Sequence, residues 1–319
     1  MRILITGVHG FVGSNLVEYL APSRSLYASE FIIYGLDIIA PQKSGVLKTF
    51  SWDDLDAGRV PEVDAIIHMA GKAHDTKNQA AAETYFKVNT GLTQKIYDYF
   101  LASPTARKFI FFSTAKAAAD KVDGVLTEDV VPAPVGPYGE SKIRAEEYIL
   151  AHPAEGKSVY ILRPCMIHGP GNKGNLNLLY NVVRKGIPWP LGAFENRRTF
   201  TSVENICFAV KGLLTQDVPS GIYNMGDDEA LSTNELIEEI CKSLGKKAHI
   251  WRLPKGLMNG VAKVGGWLHL PLNPERLRKL TEDYVASNAK IKAALGVDRM
   301  PVDAREGLRR TLESFRSDS

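Results

Sequence analysis

The sequence predicts an α/β protein: a doubly wound parallel sheet followed by a smaller, mainly helical C-terminal lobe. Three observations predict it. A short apolar strand pattern, Arg2-Ile3-Leu4-Ile5-Thr6, runs directly into Gly7, Gly10 and Gly13 and then into a helical pattern. Strand-like and helix-like stretches alternate through the first half of the chain, which favours parallel strands with helices on both faces. Beyond Arg163 the strand patterns thin out and helical ones dominate. A Rossmann-like sheet with a second lobe accounts for all three.

The elements follow in order. Residues 2–6 are branched and apolar without alternation, as in a strand buried on both faces. The glycines at 7, 10 and 13 let the backbone approach a pyrophosphate, whose charge lies against the amide-rich start of the helix at Phe11–Leu20, including Phe11 and Val12. Phe31–Leu36 reads as the second strand and ends at Asp37. A carboxylate there accepts from ribose hydroxyls and repels a 2′-phosphate, so NAD is expected over NADP. Ala65–Ala70 is the next strand, leading to Met69, Ala70 and Gly71, with His68 read as a packed residue and not a base. Helical patterns at Ala81–Leu101 and Tyr138–Leu150 flank the strands Lys108–Ser113 and Ser158–Arg163. A turn-rich loop, Gly169–Asn175, then opens the second lobe. The expected division is residues 1–168 for the dinucleotide-binding domain, with 200–225 returning to it, and 169–199 with 226–319 for the substrate lobe.

Composition narrows the function classes. The 319 residues are 45% hydrophobic and 24% charged, as in an ordinary globular protein. Net charge is +3, from 39 basic and 36 acidic residues, with no dense basic run, which speaks against a nucleic-acid partner. Three widely spaced cysteines, Cys165, Cys207 and Cys241, suggest reduced thiols. The reduced thiols are read as a cytoplasmic location, and with the first strand starting at residue 2 no signal peptide is expected. The apolar stretch Gly256–Leu272 contains Lys263, His269 and Pro271 and is too short and interrupted to span a bilayer. It reads as a packed or partly exposed helix in preference to a membrane-surface one. No metal site is expected.

Tyr138 and Lys142 carry the chemistry. At i and i+4 near the start of a helix they share one face. A free phenol ionises near pH 10, and lowering that by ~3 units takes ~4 kcal/mol, which a neighbouring ammonium and an oxidised nicotinamide can supply together. Thr114, just after a strand ending Phe112-Ser113, completes a Thr–Tyr–Lys set able to exchange protons with one substrate oxygen.

Together the segments GVHGFVG, IIHMAG, FIFFST, PYGESKIRAE and ILRPCMIHGPG resemble those of the extended short-chain dehydrogenases of the NAD-dependent epimerase/dehydratase family. The resemblance runs over nearly the whole chain. It implies that Arg163-Pro164-Cys165-Met166 passes beneath the nicotinamide. It also makes Ser113 a cofactor contact, and Asn89, in a VN-x-G-T segment, a structural residue on the cofactor side. It implies further that Asn175, Leu176 and Arg198 hold a nucleotide-sugar diphosphate with Tyr284 near the same pocket. A guanidinium at Arg198 suits a diphosphate on chemical grounds as well. The helices at 81–101 and 138–150 match those that pair two copies into a homodimer. The chain departs from the family in two places. Ala117-Ala118-Ala119 stands where many members carry VYG, and Thr114 is followed by Ala115 and Lys116, where dehydratases need Asp-Glu. Dehydration is therefore not expected. Ala115 also stands where the branch that epimerises C3 and C5 carries a cysteine. The segments 173–176 and 192–198 resemble a sub-branch acting at C4 of UDP-linked N-acetylhexosamines in surface-polysaccharide synthesis. The expected activity is an NAD-dependent epimerase at C4 of a UDP-hexose or UDP-N-acetylhexosamine. A 4-ketoreductase is the alternative within the fold, and a non-catalytic dinucleotide-binding scaffold the alternative outside enzymes.

Overall fold

The computed structural model describes residues 1–21, 30–73, 81–172, 174–268 and 272–317. Lys173, His269 and Pro271, which the sequence reading mentions, lie outside them. The chain begins β1 (Arg2–Thr6), α1 (Phe11–Leu20), β2 (Ile32–Leu36), β3 (Lys48–Phe50), α2 (Trp52–Asp56), β4 (Ala65–His68) and α3 (Ala82–Tyr85). A π-helical turn over Phe86–Gly91 leads to α4 (Leu92–Ala102), β5 (Lys108–Phe112), α5 (Ala115–Ala118), β6 (Val125–Leu126), α6 (Pro137–Ala151) and β7 (Ser158–Pro164). The second half comprises β8 (Met166–His168), α7 (Asn175–Arg184), β9 (Phe200–Ser202), α8 (Val203–Thr215), β10 (Gly221–Met225), α9 (Thr233–Ser243), α10 (Lys255–Trp267), α11 (Pro274–Thr281), β11 (Val285–Ala286), α12 (Ala289–Leu295) and α13 (Ala304–Ser317).

Seven strands form one parallel sheet in the order β10-β7-β5-β4-β1-β2-β3. The two-residue period of a strand decides which side chain enters which core. Ile3 and Ile5 of β1 pack with Leu16 and Val17 of α1 and Val210 and Leu213 of α8. Leu4, between them, packs on the opposite face with Ile96 and Phe100 of α4 and Ile149 of α6. The same division recurs in β5, where Ile110 and Phe112 face the first core and Phe109 and Phe111 the second. Helices on both faces explain why these strands read as continuous apolar runs.

Besides the short strands β6, β8, β9 and β11, which were not anticipated either, two features of the sheet half depart from the sequence reading. The edge strand β3 was not anticipated; it is three residues long and pairs with β2 alone. The single helix expected at 81–101 is broken by the π turn, which carries Asn89. Asn89 accepts from the Lys72 amide at 2.7 Å and donates from Nδ2 to the Lys72 carbonyl at 3.1 Å and to Ser141 Oγ at 2.9 Å. Those ties hold the turn open by one residue, the geometry of a π bulge.

After β7 the chain builds a separate core from α7, α9, α10, α11 and α13, centred on residues such as Leu176, Ile237, Ile240 and Leu312. It also crosses back. β10 pairs in parallel with β7 at the sheet edge, β9 with β8, and β11 with β6. Among the described residues no helix is long and apolar enough to cross a membrane.

Candidate active site

Every strand of a parallel sheet points its carboxyl end the same way, and the predicted residues collect at that end. The turn after β1 is tight. Gly7 has φ +71°, and a Cβ at Gly13 would sit 2.4 Å from the Gly7 carbonyl oxygen, so only glycine admits this approach. The ends of β1 and β4 meet here, since a Cβ at Gly7 would lie 2.9 Å from the Ala70 nitrogen. Asp37 follows β2 and accepts from the His9 amide at 3.0 Å and the Ile38 amide at 2.8 Å. Its carboxylate is thereby fixed against the glycine turn. Lys43, which sequence reasoning did not single out, donates to Ser14 Oγ at 2.9 Å within electrostatic reach of Asp37. Phe11 and Val12 are half-buried, and Asn15 donates to the carbonyls of Phe11 and Pro170, so the loop after β8 closes over α1.

His68 is a packed residue, as expected. Thr6 Oγ1 accepts the Met69 and Ala70 amides, so its own proton goes to His68 Nδ1 at 2.7 Å. The other ring nitrogen reaches Thr93 Oγ1 at 2.9 Å, and Thr93 donates to the Asn89 carbonyl. Burial, with Lys142 nearby, holds this imidazole well below its ordinary pKa and therefore neutral.

Thr114 and Tyr138 meet, with Lys142 one turn further along α6. Thr114 caps α5, accepting from the Lys116 amide at 3.3 Å. Tyr138 lies in the first turn of α6, after Gly136 and Pro137, and its hydroxyl is hydrogen-bonded to Thr114. One turn later Lys142, only 5% exposed, donates to the Phe112 carbonyl at 2.8 Å, with its ammonium 4.9 Å from the Phe111 ring centroid. Burial brings its pKa down from 10.5 to about 8, against the pull of Glu146. The expectation of a lowered phenol is not met within the protein alone. Burial pushes Tyr138 up, and the Thr114 hydrogen bond only opposes it. Lys142 spends its ammonium on the Phe112 carbonyl. Gly71 borders this site, since a Cβ there would lie 3.2 Å from Lys142 Nζ and 3.0 Å from Asn89 Oδ1.

Beneath the site lies a buried pair that sequence reasoning missed. Ser113 donates to Glu146 Oε1, and Arg163 holds Glu146 through Nε at 3.1 Å and Nη2 at 2.6 Å. Arg163 and Glu146 are 2% and 0% exposed. The Tyr138, Lys142, Glu146 spacing was its one sequence signal. Pro164, buried, ends β7, and half-buried Met166 opens β8.

In the second lobe, Arg198 donates from Nη1 to the Lys279 carbonyl, and its backbone bridges those of Leu231 and Tyr284. The Tyr284 ring is buried, its hydroxyl donates to the Ala119 carbonyl at 2.8 Å, and the Lys116 ammonium stands 4.4 Å from the ring centroid. Tyr284 is thus a wall whose polar atom is committed to the protein. Lys116 in turn donates to the Asp120 carbonyl at 2.6 Å. Cys165 lies within electrostatic reach of both Arg198 and Lys116, yet burial pushes its thiol up to about 12, so it is unreactive. Asn175 opens α7 exposed and without a side-chain cap, whereas the Leu176 side chain is committed to the second core. Only the Leu176 backbone can face a ligand. Among the described residues no group of three or more His, Cys, Asp and Glu could hold a metal ion.

The arrangement combines a tight glycine turn after β1, a Thr114–Tyr138 contact with Lys142 one turn along α6, and a guanidinium at Arg198 held by the second lobe. Comparison with known proteins agrees. The profile of the NAD-dependent epimerase/dehydratase family matches residues 3–226. A UDP-glucose 4-epimerase of Vibrio cholerae is 29% identical, covering 98% of this chain and 95% of that protein. A GDP-6-deoxy-D-mannose reductase of Pseudomonas aeruginosa is 24% identical over 99% of this chain and 97% of its own. The structure of MoeE5 in complex with UDP-glucuronic acid and NAD superposes with a TM-score of 0.76 at 22% identity, covering 100% of both chains. The chain is an enzyme that belongs to the NAD-dependent epimerase/dehydratase family.

Proposed function

We propose that this enzyme is a nucleotide-sugar 4-epimerase acting on a UDP-hexose or UDP-N-acetylhexosamine. The contact of Tyr138 with Thr114, and Lys142 one turn along α6 against Gly71, carry the reading. The names of the Vibrio relative and of the MoeE5 complex support UDP as the nucleotide. In this reading Gly7, Gly10, Phe11, Val12 and Gly13 cradle the dinucleotide diphosphate, and Asp37 takes the ribose hydroxyls, favouring NAD over NADP. Met69, Ala70, Gly71, Asn89, Ser113, Pro164 and Met166 line the remainder. When bound, NAD supplies the acceptor and donor for the C4 hydride. Tyr138 takes the O4 proton as C4 is oxidised and returns it when C4 is reduced on the opposite face, with Thr114 holding the same oxygen. Lys142 keeps positive charge beside that exchange. Arg198 and the start of α7, with Asn175 and the Leu176 amide, hold the diphosphate while the 4-ketosugar turns over.

The Pseudomonas relative favours a second reading, reduction of a 4-ketosugar alone. Incubating the purified protein with UDP-glucose or UDP-N-acetylglucosamine and NAD, without reductant, separates the two. The C4 epimer appears if the enzyme is an epimerase and does not if it is only a reductase. Further expectations are a cytoplasmic location and a homodimer formed through α4 and α6. A shallow groove along Thr90 of the π turn, Gln94 of α4, and Ile143 and Arg144 of α6 supports a second copy there. The domain division at 168, with 200–225 returning to the sheet, belongs to the same reading.

A further inference from the structure

Helix α10 carries apolar stripes on two sides and buries only one. Met258, Ala262 and Gly265, at i, i+4 and i+7, enter the second core. One position earlier, Leu257, Val261 and Val264 repeat the same spacing and stay exposed, at 54, 46 and 54%, and Leu268 at the C-cap is 50% exposed. Trp267 beside them is 79% exposed, and Trp251, in the segment leading into the helix, is 53% exposed. Four glycines, Gly256, Gly260, Gly265 and Gly266, weaken this helix by ~1 kcal/mol each relative to alanine, so the inner stripe alone holds it poorly.

Along the chain the charges of this stretch have one sign, with two acids at its borders: Glu239, 3.9 Å from Lys242, and Glu275 of α11, next to Pro274, which packs on Gly266. From residue 240 to residue 274 the chain contains no Asp or Glu, but it contains Lys242, Lys246, Lys247, Arg252, Lys255 and Lys263. All six are exposed. This concentration stands out in a chain whose total charge is only +3. A second copy pairing through the same face would bring two such clusters together, which charge repulsion opposes. An anionic lipid surface meets both features, since it accepts aliphatic and tryptophan side chains at its boundary and attracts exposed lysines.

We propose that α10 and the segment before it form a peripheral docking face for an anionic lipid bilayer. The helix lies in the plane of the headgroups with Leu257, Val261, Val264, Trp267 and Leu268 directed inward and Lys255 and Lys263 at the phosphate level. At 13 residues it covers ~20 Å, too little to span and enough to lie flat. Trp267 and Trp251 suit the boundary because an indole is apolar with one polar N–H. Sequence alone favours an ordinary packed or partly exposed helix here; the unburied second stripe changes that reading.

Flotation of the full chain with phosphatidylcholine vesicles, and with the same vesicles carrying ~30 mol% phosphatidylglycerol, tests the proposal. The protein is expected to float with the anionic vesicles at low salt, with a blue shift of tryptophan emission, and to be released as ionic strength rises to ~0.5 M. Two double variants, V264E/W267E and K255E/K263E, are each expected to lower partitioning ~10-fold or more, while thermal melting and NAD binding stay unchanged. Absence of wild-type protein from the anionic vesicles at low salt overturns the proposal. So does equal partitioning by both variants and the wild type. A fall in solution mass for V264E/W267E on light scattering assigns the face to a second copy and overturns it equally.

Discussion

Tyr138 enters a site that does not by itself help its phenol to ionise. Burial raises its pKa, and only the Thr114 hydrogen bond works the other way. The base is therefore expected to form only once ligands complete the site. Tyr138→Phe removes the proton carrier while keeping the ring, so turnover should fall by ~10²–10⁴-fold with NAD binding little changed. Steady-state kinetics with NAD titration check both halves. Lys142 gives a second test, through stability. Its pKa is about 8 in the folded protein and 10.5 when free, so between these values the unfolded chain binds more protons. Stability should then rise with pH across that window. Thermal melts of the wild type and Lys142→Met from pH 7 to pH 10 should show the wild type gaining on the variant as pH rises. A constant difference would place the ammonium in solvent. Tyr138 and Lys142 were legible in the sequence because four positions on one helix fix their relation.

At the scale of elements, legibility followed locality. The strand, glycine turn and helix of residues 2–20 are determined by near neighbours, and their sequence reading needed no correction. The π turn did need one. Its extra residue exists because Asn89 bonds to Lys72 and Ser141, which lie 17 and 52 residues away. No local pattern carries that. Strand β3 was missed for a related reason, since three residues at a sheet edge are held mainly by pairing with β2. The Arg163–Glu146 pair ties α6 to β7 one turn beyond Lys142. Arg163→Leu leaves a buried carboxylate without its cation and should cost ~3–5 kcal/mol in denaturant unfolding. Adding Glu146→Gln should restore much of that loss, because both charges are then gone. Equal destabilisation in the single and double variants would mean that arginine packing, not charge, holds the elements together.

Over the whole molecule, the site depends on bringing together residues far apart in the chain. Tyr284 reaches Ala119 across 165 positions, and Lys116 stands against the same ring. The sequence marked Tyr284 only by resemblance, Arg198 by resemblance and by its guanidinium chemistry, and gave Lys116 no role, because their meeting is set by how the second lobe packs. The glycine turn follows β1 and Arg198 is held by Lys279 and Leu231 of the second lobe, so on the proposed reading their ligands should separate under mutation. Arg198→Ala should weaken UDP binding by ~1.5–3 kcal/mol, the range for a charge-assisted bond, and leave NAD affinity nearly unchanged. Calorimetry with each ligand checks this, and an equal loss for both would place the arginine elsewhere. The most direct test of the account follows the hydrogen at C4. A UDP-sugar substrate deuterated at C4 is incubated with enzyme and unlabelled NAD, without reductant, and the products are examined by NMR and mass spectrometry. The account predicts a C4 epimer that retains the deuterium at C4, because the same hydride leaves and returns within one site. A C4 epimer that has lost the label, or no epimer at all, would contradict it.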